Sequence, residues 1–460
     1  MKRPNISFEP TVGSLTIQSV PCRDDLFRTI NSLPETEIRS VTVSRGLTLS
    51  ADLIDALTRF HSLSRLYASG VVLPSGILGR IANLPSLELL SLDDVLLEPT
   101  ELAVLHFATK LRTLIVGEES FGDQHLCSLP ELVSLRSIMI MRGGITSKGI
   151  ASLSRQPSLQ IVRCYAGEVS SNAIALLSRL RVLHLTCSVA PDILLHLPQG
   201  IEEVTLNCSE ISDVNLRDLP HYAQLVSLDL SDSSVTGGSL DASRLPALRR
   251  FGAWRTPFGD SGVRSLSNLE ALETVGIGST LVTNKGVSYL GSSKSLVKAF
   301  FNRTGLSHEC FSHLASVSSL RSLSLWRTPI ANVQQIGRLT ELATLYLGHT
   351  NVEDGAIEEL SLLTELRLLH VGQTRITDRG VRRLASLARL EGLYIDGLDV
   401  TTETVCRLVQ SLTKLRVLGL TPALAEQMRG NIPASIHVDR GELVSRLNDA
   451  PLPNRFLTCL

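Results

Sequence analysis

The sequence is poor in large aromatic side chains and has no excess of either charge. Phe, Trp and Tyr make up only 4% of its 460 residues, whereas hydrophobic residues as a class reach 43%, so a core must be built mainly from Leu, Ile and Val. Lys and Arg number 44 against 45 for Asp and Glu. This balance argues against a bulk attraction to nucleic acid or to an anionic membrane, and any electrostatic preference must be local.

The sequence also lacks the segments that direct a chain into or across a membrane. Residues 1–10 contain no apolar signal segment, and no run of about 18 apolar residues follows. The eight Cys residues are scattered and do not form the paired clusters that cap many extracellular repeat proteins. These absences predict a cytoplasmic protein that has no membrane partner.

Familiar motifs of catalytic and metal sites are missing as well. We find no phosphate-binding G-x-x-x-x-G-K-S/T, no nucleophile elbow G-x-S-x-G and no zinc pair H-E-x-x-H. The sequence therefore predicts a protein that is not an enzyme and that holds no cofactor and no metal ion.

One pattern is repeated along nearly the whole chain. The segment L-x-x-L-x-L, as in Leu342–Leu347, recurs in eighteen copies that begin at Val12 and end with the copy at Leu415. Ten of the seventeen intervals between copies are 24 residues long, and the others lie between 21 and 26. A register held over so many copies indicates a repeat protein.

Each period predicts a strand, a turn and a short helix. Apolar and polar residues alternate in the middle of the pattern, which indicates a strand. A short polar residue such as Asp123, Asp260 or Asp378 then predicts the start of a helix, where its oxygen is expected to accept from the first free N–H groups of that helix. Because one period cannot bury both its strand and its helix, the periods must stack and their strands must form a parallel sheet.

These in-register copies resemble the leucine-rich-repeat superfamily, and in particular its intracellular, ribonuclease-inhibitor-like type, over roughly residues 12–425. The resemblance implies an α/β leucine-rich-repeat solenoid shaped as an arc or horseshoe, with a parallel β-sheet on the concave face and short helices on the convex face. The periods of about 24 residues follow a T-x-I/V-T-D-x-G variant. This variant is similar to repeats that are common in bacterial proteins.

One departure from the family pattern is a row of Thr residues where the family often has Asn. Examples are Thr256, Thr328 and Thr350. Their hydroxyl groups are expected to form hydrogen bonds within the buried turn, as the Asn side chain does in the family.

The period lengths predict three parts of the chain. Residues 1–37 are expected to form an N-terminal cap with the first strand, residues 38–421 about 17 repeat units, and residues 422–460 a C-terminal cap and tail with a final strand near 435–438. Two adjacent periods of only 21 residues predict an irregular stretch and a change of curvature near 159–201, because losing about three residues removes most of a helical turn.

Residues with strong binding chemistry accumulate in the C-terminal half. Both Trp residues lie there, in two copies of Trp-Arg-Thr-Pro at 254–257 and 326–329. Trp, Tyr and Arg dominate the energetics of protein interfaces. The side chains predicted to point to the concave surface or its rim, and hence to bind a partner, are those of Arg250, Trp254, Arg255, Lys298, Phe300, Arg303, Trp326, Arg327, Tyr346, His349, His370 and Tyr394.

These residues admit more than one function. The resemblance implies a protein-binding adaptor, inhibitor or scaffold, and the six strand spacings between the periods at Leu248 and Leu390 span about 29 Å, which suits one side of a protein interface. The alternatives are a regulator of an enzyme, such as a GTPase-activating protein or a ubiquitin-ligase substrate adaptor, and, less favoured by the balanced charge, a nucleic-acid-binding protein. A purely structural interpretation also remains, because outward-facing rings stabilise a sheet through cross-strand contacts.

Overall fold

The computed structural model describes residues 5–9, 13–19, 30, 32–33, 38–165, 167–186 and 188–441. The described residues form two compact units, which divide in the sequence between Glu210 and Ile211. Each unit is a stack of strand, turn and helix periods, as the sequence pattern predicts. None of the helices in these ranges has the length and apolar content that crossing a bilayer requires.

Unit 1 contains a parallel sheet that runs from β2 to β12. β1 pairs antiparallel with β2, which the repeat pattern did not predict, and the order continues in parallel through β3, β4, β5, β6, β7, β8, β10 and β12. The strands are β1 (Asn5–Glu9), β2 (Ser14–Ser19), β3 (Ser40–Val43), β4 (Arg65–Tyr67), β5 (Leu89–Asp93), β6 (Thr113–Gly117), β7 (Ser137–Ile140), β8 (Ile161–Cys164), β9 (Glu168–Val169), β10 (Val182–Leu185), β11 (Ser188–Val189) and β12 (Glu203–Leu206).

Short helices connect these strands and pack beside one another. The α-helices are α1 (Ala51–Leu57), α2 (Ile77–Ala82), α3 (Asp123–Ser128), α4 (Ser147–Ser152) and α5 (Ser171–Ala175). Three connections are instead, wholly or in part, 3-10 helices, at Pro99–Phe107, Leu153–Arg155 and Pro191–Leu195.

Unit 2 has a more regular parallel sheet, in which each strand from β13 to β22 pairs with the next one in the chain. The strands are β13 (Ser227–Asp229), β14 (Arg250–Gly252), β15 (Thr274–Gly276), β16 (Lys298–Phe300), β17 (Ser322–Ser324), β18 (Thr344–Tyr346), β19 (Leu368–His370), β20 (Gly392–Tyr394), β21 (Val417–Gly419) and β22 (His437–Asp439). The strand expected near 435–438 is β22.

The helices of unit 2 follow the same plan. They are α6 (Asp213–Arg217), α7 (Asp260–Leu266), α8 (Asn284–Leu290), α9 (Cys310–Leu314), α10 (Ala356–Leu360), α11 (Asp378–Arg383), α12 (Thr402–Ser411) and α13 (Pro422–Gln427). The 3-10 helices are Ala242–Arg244, Ile336–Arg338 and Leu384–Ser386.

In both units, the core is made by the repeated apolar positions. Within the period at Leu320, for example, Leu320, Leu323, Leu325 and Ile330 are all fully buried between the sheet and the helices. Removing a Leu, Ile or Val side chain from water contributes about 1.5–3 kcal/mol, so the pattern itself supplies most of the stabilisation of each period.

The Thr row has the role that its position predicts. The hydroxyl groups of Thr256, Thr328 and Thr350 donate to the carbonyl oxygens three residues earlier, at 2.8, 2.6 and 2.6 Å, and all three side chains are buried. Thr280, Thr304 and Thr374 make the same bond. A hydroxyl group thus closes each of these buried turns.

The Asp side chains at the helix starts do not accept from the first N–H groups of their own helices, contrary to the prediction from the sequence. Helices do begin at Asp123 and Asp378, but the hydroxyl group that caps α11 belongs to the preceding Thr377. Asp123 instead accepts from the backbone N–H and hydroxyl of Thr146 and from the N–H of Gly149, which are all in the next period. The prediction of local capping is wrong because Asp123 and Asp378 are the first residues of their helices, whereas the capping position is the residue before them.

The two short periods coincide with irregular structure in unit 1. Their helical segments are the five-residue α5 and the 3-10 helix Pro191–Leu195, and β9 and β11 form a separate two-stranded parallel sheet beside them. The expected change of curvature and the boundaries at 37 and 421 remain predictions. Most of the expected N-terminal cap and residues 442–460 of the C-terminal part lie outside the described residues.

Candidate functional site

The candidate site is the face of the unit 2 sheet that points away from its helices, which we call the outer sheet face. It consists of the residues two, four and six places after the first Leu of each period, since neighbouring residues of a strand point to opposite sides. Strand register places equivalent residues next to one another, for example Phe300 beside Ser324 and Tyr346 beside His370. The twelve predicted residues therefore lie on strands β14, β16, β18, β19 and β20 or in the turns that follow β14, β16, β17 and β18.

The prediction that the rings on this face are accessible is wrong. Trp326, Tyr346 and His370 have no exposed surface. Trp254, Phe300 and Tyr394 are buried as well, with 3, 3 and 8% of their surface exposed. Four of these six rings, together with Leu368, form one apolar cluster, whose ring members are Trp254, Phe300, Trp326 and Tyr346.

The rings are buried in part because they lie over glycines of the neighbouring strands. A Cβ atom on Gly278 would come within 2.0 Å of the Trp254 ring, and one on Gly348 within 3.0 Å of the Trp326 ring. Likewise, a Cβ on Gly419 would be 2.1 Å from the Tyr394 ring. Glycine leaves room for a ring to lie flat on the sheet, where the ring covers the backbone and is itself covered by its neighbours.

The two Trp-Arg-Thr-Pro copies share this arrangement over three successive periods. Before each Trp, a polar side chain at the equivalent position accepts its backbone N–H: Ser231 Oγ accepts from Trp254 at 3.0 Å, and Asn302 Oδ1 from Trp326 at 3.3 Å. After each Trp, the equivalent position is a glycine. The order of polar acceptor, Trp and Gly at equivalent positions of three successive periods therefore places each indole.

Beyond the Trp residues, a row of rings continues across the sheet. The ring centroids of Tyr346 and His370 are 6.2 Å apart, and those of His370 and Tyr394 are 5.4 Å apart with nearly parallel planes. The Gly372 N–H donates to His370 Nδ1 at 3.2 Å, so the neutral ring carries its proton on Nε2. Burial, reinforced by His349, lowers the pKa of His370 to about 3, so the ring is neutral near pH 7.

Exposed chemistry is concentrated in the turns that follow the strands, seven places after the first Leu of each period. Arg303, Arg327 and His349 occupy this turn position in three successive periods, with φ values of 55, 57 and 56°. We call these three residues the basic ladder. Their N–H groups donate to the carbonyl oxygens of Trp326, Gly348 and Gly372 in the following periods, so each turn continues the backbone bonding of the sheet.

The side chains of the basic ladder contact one buried indole, that of Trp326. The guanidinium carbons of Arg303 and Arg327 lie 5.2 and 4.5 Å from the centre of the Trp326 ring, and the His349 ring meets that indole edge-on at 5.1 Å. Such cation–π contacts hold the two guanidinium groups above the ring. Burial and the charges of Arg327 and Arg303 lower the pKa of His349, and burial with the charges of Arg327 and Arg255 lowers that of Arg303.

The remaining predicted residues lie at the edges of this arrangement. Arg255 occupies an earlier turn position and forms a two-pronged ion pair with Asp232, at 2.5 and 2.6 Å. Arg250 and Lys298 are half-buried at the starts of β14 and β16. Among the described residues, no group of three or more His, Cys, Asp and Glu side chains is arranged to hold a metal ion.

Residues 296–436, which contain the basic ladder, match a family model described as a leucine-rich repeat region. Together with the strand and helix periods, this match identifies the architecture as an α/β leucine-rich-repeat solenoid. The more specific ribonuclease-inhibitor-like type remains a prediction. Among curated proteins, none matches the sequence.

Several solved leucine-rich-repeat structures are similar to the chain at low identity. An internalin (InlF) from Listeria monocytogenes is 17% identical, with a TM-score of 0.36 over 85% of this chain and 88% of that one. The leucine-rich-repeat protein LIC12759 of Leptospira interrogans is 16% identical, with a TM-score of 0.41 and coverage of 90% and 98%. The ectodomain of the Arabidopsis thaliana receptor kinase GASSHO1/SCHENGEN3, in complex with Casparian strip integrity factor 2, is 17% identical, with a TM-score of 0.41 and coverage of 88% and 55%.

Sequence reasoning missed the residues that hold the rings in place. Gly278, Gly348, Ser231 and Asn302 decide where the two indoles lie, yet none of them is among the predicted binding residues. The available signal was a comparison of equivalent positions in neighbouring periods, because each Trp has a polar residue one period before it and a glycine one period after it.

Proposed function

We propose that the chain is a non-enzymatic, cytoplasmic protein-binding module that holds a partner protein on the outer sheet face of unit 2. The observation that carries this proposal is the basic ladder, in which Arg303, Arg327 and His349 stand side by side above a buried indole. Leucine-rich-repeat folds have a long sheet face of this kind, whose outward side chains can vary while the core remains unchanged. Adaptor, inhibitor and scaffold are all compatible with such a module.

The burial of the rings changes which residues we expect to contact the partner. Arg327 is exposed, and Arg303 and His349 are half-exposed, whereas the rings beneath them are covered. The rings therefore serve as a rigid platform, and the partner meets the guanidinium and imidazole groups. A preorganised platform lowers the entropy lost on binding, because its side chains are already ordered.

A charge-reversal experiment tests this proposal. The Arg303→Glu/Arg327→Glu double variant and the wild type are used to capture proteins from nuclease-treated cytosol, and bound proteins are quantified by mass spectrometry. We expect a discrete set of proteins to be reduced at least about tenfold with the variant, since loss of a charged contact costs about 1.5–3 kcal/mol.

The matched control is the Arg338→Glu/Arg379→Glu double variant, which makes the same charge change at exposed residues on the helical side of unit 2. It should retain the whole set, and circular dichroism should show that both variants are folded. The proposal is wrong if the two double variants lose the same proteins, or if neither loses any.

A further inference from the structure

The sheet of unit 1 keeps a group of apolar side chains partly exposed on the face that points away from its helices. Ile115 on β6 is paired with Met139 on β7, and Ile161 on β8 is paired with Val182 on β10. Neighbouring side chains on one face of a sheet contact one another, so these residues form a contiguous group. We call it the unit 1 patch, and its members, all half-buried or exposed, are Ile115, Met139, Met141, Ile161, Tyr165 and Val182.

The Tyr165 ring shows why this face differs from that of unit 2. Tyr165 stands six places after the first apolar residue of its period, as the two Trp residues do in unit 2. A glycine follows each Trp at the equivalent position one period later, whereas Thr186 follows Tyr165. Without a glycine to lie over, the Tyr165 ring keeps 41% of its surface exposed. Contiguous apolar groups that folding leaves exposed are typical of interaction sites.

Arg163 lies in the middle of the unit 1 patch. It is paired with Met139 on one side and with His184 on the other, and Ile161 and Tyr165 stand two places before and after it. Its Nε donates to His184 Nδ1 at 3.3 Å. Burial, together with the charge of Arg163, lowers the pKa of His184 to about 4, so the ring is neutral near pH 7 and can accept this bond.

The other two nitrogens of the Arg163 guanidinium are available to a partner. No carboxylate among the described residues forms an ion pair with Arg163. Neither of its Nη atoms is among the buried polar atoms that lack a hydrogen bond, so both reach the solvent. Because His184 holds Nε, the two Nη groups remain as a pair of donors, which is the arrangement that binds both oxygens of a carboxylate.

The charges around the patch favour a single carboxylate over a polyanion. Arg142, in the turn after β7, already pairs with Asp94, with 3.6 Å between Nη1 and Oδ1. Asp93 ends β5 in register with Gly117, and Glu118 follows it, so two more carboxylates lie on the approach to the patch. These carboxylates repel a nucleic acid backbone, whereas one carboxylate needs only Arg163.

We propose that this face of unit 1 binds a protein segment in which one Asp or Glu side chain is flanked by apolar residues. The carboxylate accepts from both Nη groups of Arg163, and the flanking side chains cover Met139, Ile161 and Tyr165. Covering these side chains also removes water from around the ion pair, which strengthens it. Methionine adapts its shape to different apolar neighbours. The inference concerns unit 1 alone and does not depend on the basic ladder of unit 2.

Nuclear magnetic resonance of the methionine methyl groups tests the inference in the full chain. The chain has four Met residues, so the spectrum is simple, and Met139→Leu and Met141→Leu assign the two resonances of the patch. The probe is the peptide Gly-Ser-Leu-Glu-Leu-Ser-Gly, blocked at both ends. We expect saturable shifts of the Met139 and Met141 resonances and none of Met428, which is fully buried in unit 2.

Two matched comparisons separate the charge from the apolar contacts. Replacing the Glu of the peptide by Gln, or both Leu by Ser, should each weaken binding about tenfold, and this comparison uses the wild-type chain. Arg163→Gln should weaken binding of the Leu-Glu-Leu peptide about tenfold as well. Lys148→Gln, an equal charge change at an exposed residue of α4, should leave the affinity within about twofold.

Four results would overturn the inference. The first is the absence of shifts at Met139 and Met141, and the second is equal binding of the Leu-Glu-Leu and Leu-Gln-Leu peptides. The third is an equal loss of affinity in Arg163→Gln and Lys148→Gln. The fourth is occupation by another molecule: a single-stranded oligonucleotide that displaces the peptide, or shifts of both resonances with protein concentration alone, which would indicate a second copy of the chain.

Discussion

The turn after each strand is built differently in the two units. In unit 1, Gly117, Gly143 and Gly167 follow their strands with φ values of 143, 123 and 110°. A Cβ atom at Gly143 would lie 2.1 Å from the carbonyl oxygen of Phe121, and one at Gly167 would lie 1.6 Å from that of Ile145. No L side chain fits these turns, because backbone of a neighbouring period occupies its place: that of the previous period at Gly143 and Gly167, and that of the next period at Gly117.

In unit 2, the same turn has room for a side chain. Seven successive periods place a non-glycine residue there, with φ between 52 and 63°, at Asp232, Arg255, Ser279, Arg303, Arg327, His349 and Gln373. The left-handed region is a small local minimum for these residues rather than a forbidden conformation. Unit 1 has such a residue as well, Asp94 with φ 58°, so the contrast is between Gly117, Gly143 and Gly167, which pack against backbone, and the turns of unit 2, which carry side chains.

The largest expected effect comes from adding a methyl group to a closed turn of unit 1. Gly143→Ala should lower the free energy of unfolding by about 4 kcal/mol, since the backbone must move away from the Phe121 carbonyl. Urea unfolding measures the loss, with hydrogen exchange of the backbone amides in β7 and β8 as the readout. The control is Gly144→Ala, because a Cβ atom there meets no atom within 4 Å. Equal effects of the two changes would contradict the contrast between the units.

A somewhat smaller effect is expected where unit 2 uses glycine for a ring rather than for a turn. Gly278→Ala should lower the free energy of unfolding by about 3 kcal/mol, because its methyl group would displace the Trp254 indole. The shift in urea midpoint and the tryptophan fluorescence should change together. Gly276→Ala, two residues earlier, is the control: its Cβ would meet only the Phe251 carbonyl oxygen, at 3.9 Å. If the tryptophan emission of Gly278→Ala stays at the wild-type wavelength, the Trp254 indole does not lie over Gly278.

Acid should remove the stabilisation contributed by the buried neutral His residues, over a wider range of pH for His370 in unit 2 than for His184 in unit 1, while the raised pKa of Asp229 in unit 2 acts in the opposite direction. Burial lowers the pKa of His370 in unit 2 to about 3 and that of His184 in unit 1 to about 4. The unfolded chain, with an ordinary His pKa near 6.5, then binds protons more readily than the folded chain. The stabilisation is complete above pH 6.5 and is lost as the pH falls towards 4 for His184 and towards 3 for His370.

From pH 6.5 to 5, each of these groups should cost about 2 kcal/mol. Urea midpoints measured against pH in the wild type, His184→Gln and His370→Gln give the two contributions separately. Each substitution should flatten the profile. A profile that keeps its wild-type slope in His370→Gln would show that folding does not lower the pKa of this ring.

The smallest expected effect is at the basic ladder itself. Arg327→Gly should change the free energy of unfolding by less than about 1 kcal/mol, because relief of the left-handed backbone offsets the lost contact with Trp326. Thermal unfolding measures the change, and the same variant should capture less of the protein set that depends on Arg303 and Arg327. A large loss of stability would favour the structural interpretation of these residues over a binding role.

The fold could be predicted from the sequence because the same pattern of strand and helix signals recurs in many copies, so an ambiguous signal in one period is settled by the others. Periods of 24 residues fixed the parallel register, and the Thr256 and Thr350 hydroxyl groups bond where their position predicts. The role of Asp123 was missed, since its partners belong to the next period and no pattern within one period reveals them.

The candidate site was predicted less well than the fold. The residue types were predicted correctly. Alternation along a strand, however, predicts only the face of the sheet from which a side chain projects, and not whether its ring is exposed to solvent. Burial of Trp326 depends on Gly348 and Asn302 in neighbouring periods, and thus on contacts across the sheet. The two short periods near 159–201 predicted a division of the chain into two blocks, and the described residues divide a little later, between Glu210 and Ile211.

The Asp carboxylates at the helix starts accept hydrogen bonds from the next period, so the contacts between periods have a direction along the chain. Asp354 accepts from the N–H and hydroxyl of Thr377 at 2.8 and 2.7 Å, and Asp378 accepts from the N–H of Thr401 at 2.9 Å. In both cases the carboxylate of one period holds the residue that precedes the helix of the next period. During synthesis the acceptor carboxylate leaves the ribosome before the N–H and hydroxyl groups that it binds. Damage to one of these carboxylates therefore weakens the helix start of the following period and not that of its own.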